Sequence, residues 1–363
     1  MKLTESGADF KIEVIINGYP LSASEFKQIK ISEKLHNDLP ECELYIIVDQ
    51  DKLKNFILIG SKIELKWNWG KTHKKYEFYQ ISFDLRQNRN FYDMIIKGVI
   101  YAPTYFQKSF RQESFKDKTT SELFKEIKSI KPEVRIKGKT KDKQTWIRPN
   151  YTDKSWVDYL YNYSFISEKD LVICGLNFEK KLIVDNLKNI QSQKPKIISN
   201  YDKKTVTRYF NYQFEKKTSI LDYKLSPLRK VTTFDIPTHK ITDYDLPNVS
   251  LFTGKSYNQL KEYYPFRALL NNMNTYEKYL YAYRFNQVFR QRLHFFEIHL
   301  DLDPLFFSQL ELMDYIDFRD YNDLTKKPIE TTSGKYIISK ITKTFSKKGL
   351  IEYKITLSRD YFL

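Results

Sequence analysis

Cysteine is nearly absent: Cys42 and Cys174 are the only two in 363 residues. They lie in separate segments, without the paired spacing that zinc or redox motifs need, and read as small buried apolar residues. Glycine and proline are also scarce, at 10 and 12 residues, which excludes collagen-like and low-complexity chains. No stretch approaches the roughly 18 apolar residues of a membrane span, and the N-terminal MKLTESGADFKIEV has no signal-peptide core. The expectation is a protein made in the cytoplasm, without membrane insertion. Histidine is limited to His36, His73, His239, His294 and His299. The last two fall in an expected strand, five residues apart and so on opposite faces, where they do not share a metal. No H-E-x-x-H, G-x-S-x-G or phosphate-binding glycine loop occurs. The acid pairs Asp301/Asp303 and Asp314/Asp317 read as turn residues beside strands rather than as glycosidase carboxylates. The expectation is therefore no catalytic residue, no metal and no cofactor.

What the chain does have is a globular composition, 41% hydrophobic, 29% charged and 16% aromatic, with 28 Tyr and 26 Phe. Such half-apolar rings suit interfaces as well as cores. The net charge of +16 implies an anionic partner or a merely solvated lysine-rich surface. The basic middle segment from Lys108 to Lys143 includes Arg111, Lys116, Lys118 and Arg135, with Phe106, Phe110 and Phe115 nearby as conceivable stacking residues. Glu113, Glu122, Glu126 and Glu133 interrupt it. Lys137, Lys139, Lys141 and Lys143 in KGKTKDK are candidate DNA- or partner-facing residues, and a basic β-barrel nucleic-acid-binding protein is the alternative reading.

The chain divides into three. Residues 1–102 read as a β-barrel, strand after strand (FKIEVIING, FKQIKIS, CELYIIVD, KIELKWNW, KYEFYQISF, YDMIIKGVIYA) with turns at Asn17-Gly18 and Gly70-Lys71. Residues 103–200 read as mixed α/β. One helix is expected through SELFKEIKSIK, capped by Thr119 or Thr120, with Leu123, Phe124, Ile127 and Ile130 on one face. A second is capped by Thr152 and carries Trp156, Leu160 and Tyr163. Residues 201–363 read as a second β-barrel with an inserted helical segment about 256–290, whose helix is expected from Pro265 to Phe289. The fold class is thus mainly β, with two β-barrel-like domains flanking a mixed α/β insert.

That order resembles the baseplate hub proteins of contractile phages, which include late-control protein D and the N-terminal hub region of type VI secretion spikes. Thr152, Asp153, Trp156 and Leu160 match the family's T-D-x-x-aromatic-x-x-x-L helix start, followed by a hairpin at Asp170 to Phe178. The run from Arg292 to Arg319 is similar to the family's helix-to-strand passage. Relatives usually carry glycine before its second strand, and this chain has Leu312-Met313-Asp314 there. Gly334 and Tyr336, then Leu357 and Arg359, match the closing hairpin, which runs G-x-Y-x-V and ends L-x-L-x-R.

The resemblance implies a structural role without catalysis. Three copies, each with two barrels of similar shape, would present six modules in a ring, adapting a sixfold tail tube to a threefold spike. The implied partners are the chain itself as a homotrimer, the tail tube protein and the spike protein, with the tape-measure and baseplate wedge proteins as further candidates. DNA would pass through the channel without sequence-specific binding. Because no Gly-rich repetitive segment follows the second barrel, the expectation is a spike on a separate polypeptide. The implied location is a virion baseplate assembled in the bacterial cytoplasm, or a bacterial contractile injection apparatus.

Overall fold

The computed structural model describes residues 10–360, apart from 70–71, 89, 108–111, 201–208, 217–229, 236–239, 248, 255–265, 271–278, 304–309, 323 and 348. Lys108, Phe110, Arg111, His239 and Pro265 lie outside the described residues.

The first part of the chain supplies β1 (Lys11–Ile16), β2 (Tyr19–Pro20), β3 (Phe26–Lys34), β4 (Glu41–Asp49), β5 (Lys62–Trp69), β6 (Thr72–Asn88) and β7 (Phe91–Ile100). They pair antiparallel in the order β3-β4-β7-β6-β5-β1-β2. In β4 the alternation of ECELYIIVD sends Cys42, Leu44, Ile46 and Val48 inward and leaves Glu41, Glu43 and Asp49 outside.

The middle contains α1 (Pro103–Phe106), β8 (Glu113–Lys118), α2 (Thr120–Leu123), β9 (Lys131–Val134), β10 (Gln144–Arg148), α3 (Asp153–Tyr163), β11 (Val172–Leu176), β12 (Lys181–Asn186) and α4 (Leu187–Ser192). Here β8 pairs with β10, and β11-β12-β9 form a small sheet in which β9 runs parallel to β12. Trp146, Trp156, Leu160, Cys174 and Leu182 belong to a second core that also takes in Ile100 and Tyr279, while Ile173 and Ile183 of the same strands face the main core.

The expected helix over SELFKEIKSIK is a single α turn followed by a 3-10 turn, Phe124–Glu126. Leu123, Phe124, Ile127 and Ile130 are all buried, but Ile127 already has extended backbone, because the chain is entering β9. Pairing with β12 overrides local helix propensity.

The rest of the chain supplies β13 (Lys196–Ser199), β14 (Tyr209–Lys216), β15 (Lys230–Asp235), β16 (Lys240–Asp245), β17 (Phe266–Leu270), α5 (Tyr279–Leu293), β18 (Phe296–Leu302), β19 (Tyr315–Arg319), β20 (Gly334–Ser346) and β21 (Gly349–Arg359). A second curved sheet runs β13-β19-β20-β21-β18-β14, and β16-β15-β17 stand apart. The helix expected from Pro265 to Phe289 is corrected: Phe266–Leu270 is strand, parallel to β15, and the helix begins at Tyr279 and extends to Leu293. A five-residue run with four apolar residues satisfies either period, and here the β15 ladder decides it.

The two curved sheets share one strand. β20 pairs with β19 over Gly334 to Ile337 and with β3 over Lys340 to Ser346, while β21 lies along its other edge. Its apolar pattern slips phase between Ile338 and Ile341. The bulge at Ser339 absorbs the slip, so that Tyr336, Ile338, Ile341 and Phe345 keep one face and enter the core. Phe345 meets Trp67 of β5 at 5.5 Å and stacks at 6.4 Å on Phe10, ahead of β1, which curls the first sheet back on its start. In the second sheet Tyr209 approaches Phe318 at 5.3 Å and donates to Asp320 at 2.7 Å, bringing β14 round to β19. One hydrophobic core therefore runs through both barrel-like sheets.

Candidate functional site

The features that fix the parts of the molecule are its joints, and those open to partners are its exposed surfaces. The closing hairpin is one such joint. Gly334 has φ +143°, and a Cβ there would lie 2.6 Å from the Arg359 guanidinium. That guanidinium stacks 4.5 Å from both the Phe296 and Tyr336 rings and donates to the carbonyls of Thr331 (3.1 Å) and Ser333 (3.3 Å). Gly334, Tyr336 and Arg359 are thus one packing unit, and Leu357 is buried across from Ile338 in the same hairpin.

The second motif builds α3. The Thr152 hydroxyl accepts from the Ser155 amide at 3.0 Å, and Asp153 pairs with Arg148 at 2.5 Å. Trp156 is buried and stacks on Phe115 (5.9 Å) and Tyr159 (5.5 Å), with Leu160 fully buried. The far end of α3 is capped from α5. Asn286 donates to the carbonyls of Asn162 (2.9 Å) and Ser164 (2.7 Å), while Arg290 bonds the Tyr161 carbonyl and lies 3.1 Å over the Tyr161 ring. A cation thus faces the negative end of the helix dipole. The α3 motif thus lies in the middle of the chain and the hairpin motif in the second curved sheet.

Sequence reasoning missed the residues where three parts meet. At the end of β3, His36 and Asn37 adopt left-handed backbone (φ +69° and +59°). Asn37 donates to Asp158 of α3 at 2.8 Å and accepts from the Tyr105 hydroxyl of α1 at 3.0 Å. His36 contacts Tyr161 and His294 through its two ring nitrogens, at 2.7 and 2.5 Å. His294 is not in the strand, as expected, but in the turn before β18, and reaches Glu297 at 2.7 Å. The only sequence signal was a pair of histidines 258 positions apart, which no local pattern connects.

A second joint is ionic. Glu33 of β3 and Lys343 of β20 are both buried, the Phe178 amide donates to Glu33 at 2.9 Å, and the Lys343 ammonium lies 5.7 Å over the Phe178 ring. Burial pushes Glu33 up to about 7 against the opposing charge of Lys343, and burial lowers Lys343.

The acid pairs have structural partners. Asp314 bonds Lys196 at 2.6 Å and the Glu311 amide, Asp317 pairs with Arg319 and Lys335, and Asp301 approaches Lys354 at 3.7 Å. Donor atoms of Glu215, Glu297 and His299 come within 4.8 Å of one another. Glu297 also bonds His294, and His299 bonds Thr356 at 3.0 Å, so the group is tied into cross-strand hydrogen bonding.

Two surfaces stand out. Lys137, Lys139, Lys141 and Lys143 are all exposed, while Thr140 and Asp142 between them and Gln144 after them are buried. Asp142 anchors this comb by accepting from the Thr120 amide (2.9 Å), the Thr140 hydroxyl (2.7 Å) and the Phe165 amide (3.0 Å). Lys139 is taken up by Glu122 at 3.1 Å. On the first barrel, Ile57, Leu58 and Ile59 are exposed in succession, 39%, 55% and 71%, beside Ile81 at 49%. The Gln80 amide holds this loop through the Phe56 carbonyl at 2.8 Å.

Two barrel-like sheets joined along a shared strand, with a mixed insert between them, define the class of fold. No known family's sequence profile matches the chain, and no curated protein does. Solved structures do. A tail protein from Neisseria meningitidis superposes with TM-score 0.58 at 12% identity, over 97% of each chain. A prophage MuSo2 tail protein from Shewanella oneidensis gives TM-score 0.59 at 12% identity, again over 97% of each. The chain has the fold of these tail proteins, and the hub resemblance read from the sequence is borne out at the level of the fold. One departure acquires a physical meaning: where relatives were expected to carry glycine, Met313 is buried with φ +69°, the conformation that glycine adopts without strain.

Proposed function

We propose that the chain is a structural tail or baseplate hub subunit that assembles as a homotrimer. The ring so formed, pseudo-sixfold because each copy carries two barrels, joins the tail tube to the central spike and encloses the ejection channel. The observation that carries this reading is the shared strand β20, which holds two barrel-like sheets in a fixed relation within one chain. In this reading residues 1–102 and 201–363 are the ring modules and 103–200 the insert, and the chain acts without catalysis, in a virion tail or a bacterial contractile apparatus. The apolar loop Ile57–Ile59 supports assembly, since contiguous exposed apolar residues mark interaction sites. Native mass measurement of the purified chain, alone and with tube and spike proteins, tests the proposal. A trimer that binds both is expected; a strict monomer that binds neither sinks it.

A further inference from the structure

We propose that the facing imidazoles of His36 and His294 form an acid-released latch, which holds the insert against both barrels at neutral pH and frees it when both rings are protonated. The inference stands apart from the hub reading, because it rests on one hydrogen-bonded chain. That chain runs from the Tyr161 hydroxyl to His36 Nδ1 (2.7 Å), from His36 Nε2 to His294 Nε2 (2.5 Å), and from His294 Nδ1 to Glu297 Oε1 (2.7 Å). It links α3 of the insert, the end of β3 in the first barrel and β18 of the second.

Proton positions follow from the ends. An ionised Glu297 only accepts, so His294 Nδ1 donates to it, and a neutral His294 then offers an unprotonated Nε2. His36 Nε2 must carry the proton between the rings, His36 Nδ1 accepts, and the Tyr161 hydroxyl donates. One added proton on His294 can be taken up beside Glu297 by reversing the chain, at the cost of orphaning the buried Tyr161 hydroxyl hydrogen. A second proton puts an N–H on both facing nitrogens at 2.5 Å, and the contact becomes repulsive.

The surroundings oppose that second charge. From α5, the Arg290 guanidinium lies over Tyr161; from β20, Lys340 is near Glu297. Ser358 of β21 reaches Glu297 and His294 at 3.4 Å, and Ser339 bonds Ser358 at 2.6 Å. The β11 side contributes the Cys174 carbonyl, which accepts from the His36 amide at 2.7 Å. Further negative groups are Asp158 of α3, bonded to Asn37, and Asp38 after β3, whose charge acts on Tyr161. Burial, with His294 and Arg290, holds the His36 imidazole well below its ordinary range. A depressed folded value means that the latch stabilises fully above the ordinary imidazole pKa, about 6.5, and weakens as pH falls below it.

Hydrogen exchange on the full chain tests this. Between about pH 7.5 and about pH 5, after correction for intrinsic exchange rates, amides of α3 and α5 should lose about tenfold or more of their protection while β4 and β7 keep theirs. His294→Gln retains a donor to Glu297 and an acceptor for His36 but cannot take a proton, so only the burial of His36 and the Arg290 charge remain and its helices should show a much smaller acid step. Equal protection of α3 and α5 at both pH values, or a step of undiminished size in His294→Gln, overturns the latch. If that variant does not fold, ring-nitrogen NMR of the wild type decides. His36 should stay neutral, protonated at Nε2, until the insert opens; independent titration of both rings near the ordinary value overturns the proposal. Stabilisation by added zinc at neutral pH would make the facing nitrogens a metal bridge and would also overturn it.

Discussion

Arg359 shows how much a single residue can fix. Its guanidinium fills the place a Gly334 side chain would need, lies against two aromatic rings and closes the turn at Thr331 and Ser333. Gly334→Ala should therefore cost about 1–3 kcal/mol from backbone strain and displaced contacts, read as a lower urea midpoint with an unchanged slope. A midpoint within error of wild type would show that the position only marks a turn. Met313 is the opposite case. Met313→Gly would relieve about 1–2 kcal/mol of left-handed strain but remove a buried side chain worth about 2–5 kcal/mol, so packing wins and the variant should be less stable. Glu33 carries a pH signature of its own. Its folded pKa is raised to about 7, so its contribution is fully present below the unfolded value and declines as pH rises toward 7. Glu33→Gln keeps an acceptor for the Phe178 amide, and its stability relative to wild type should improve by on the order of 2 kcal/mol from acid to neutral pH. A difference that stays flat across that range would mean that Lys343 compensates the buried carboxylate fully.

Elements were legible where their cause is local. β4 follows from a short β-rich run in which every second residue from Cys42 to Val48 is apolar, and α3 from a threonine cap with apolar residues at helical spacing. Thr152→Ala should cost about 1 kcal/mol in chemical denaturation, since the Ser155 amide loses its acceptor. Elements set by distant partners were not legible. The turn after Thr119 has its capping box with Glu122, yet the backbone leaves the helix to pair with β12. Phe266–Leu270 becomes strand because β15 is beside it. The bulge at Ser339 was visible only as a slip in apolar phase, which has no meaning until β20 is known to serve two sheets. The candidate site divides the same way. The hairpin and α3 motifs were found because their residues are close in sequence, whereas Glu33 with Lys343 and His36 with His294 join segments hundreds of residues apart.

At the scale of the whole molecule, the two surfaces test different ideas. If Ile57–Ile59 is buried between copies, Leu58→Asp with Ile59→Asp should leave the monomer's unfolding midpoint nearly unchanged, because both side chains are already exposed, and yet abolish the trimer in native mass spectra. A trimer that persists places the contact elsewhere. The lysine comb addresses the alternative of nucleic-acid binding. Four exposed lysines on a loop pinned by buried Asp142 form a preorganised cationic strip, but Lys139 is already committed to Glu122. Each lysine that neutralises a duplex phosphate contributes about 0.9 to the slope of log affinity against log salt. Replacing Lys137, Lys139, Lys141 and Lys143 with alanine should then lower that slope by up to about 3 if the comb grips DNA, the committed lysine counting least. In a hub whose DNA only slides past, binding near physiological salt should be absent before and after the substitutions, and the trimer should be unaffected. Tight wild-type binding that vanishes in the quadruple variant, in a protein that stays monomeric, would favour the nucleic-acid reading over the ring.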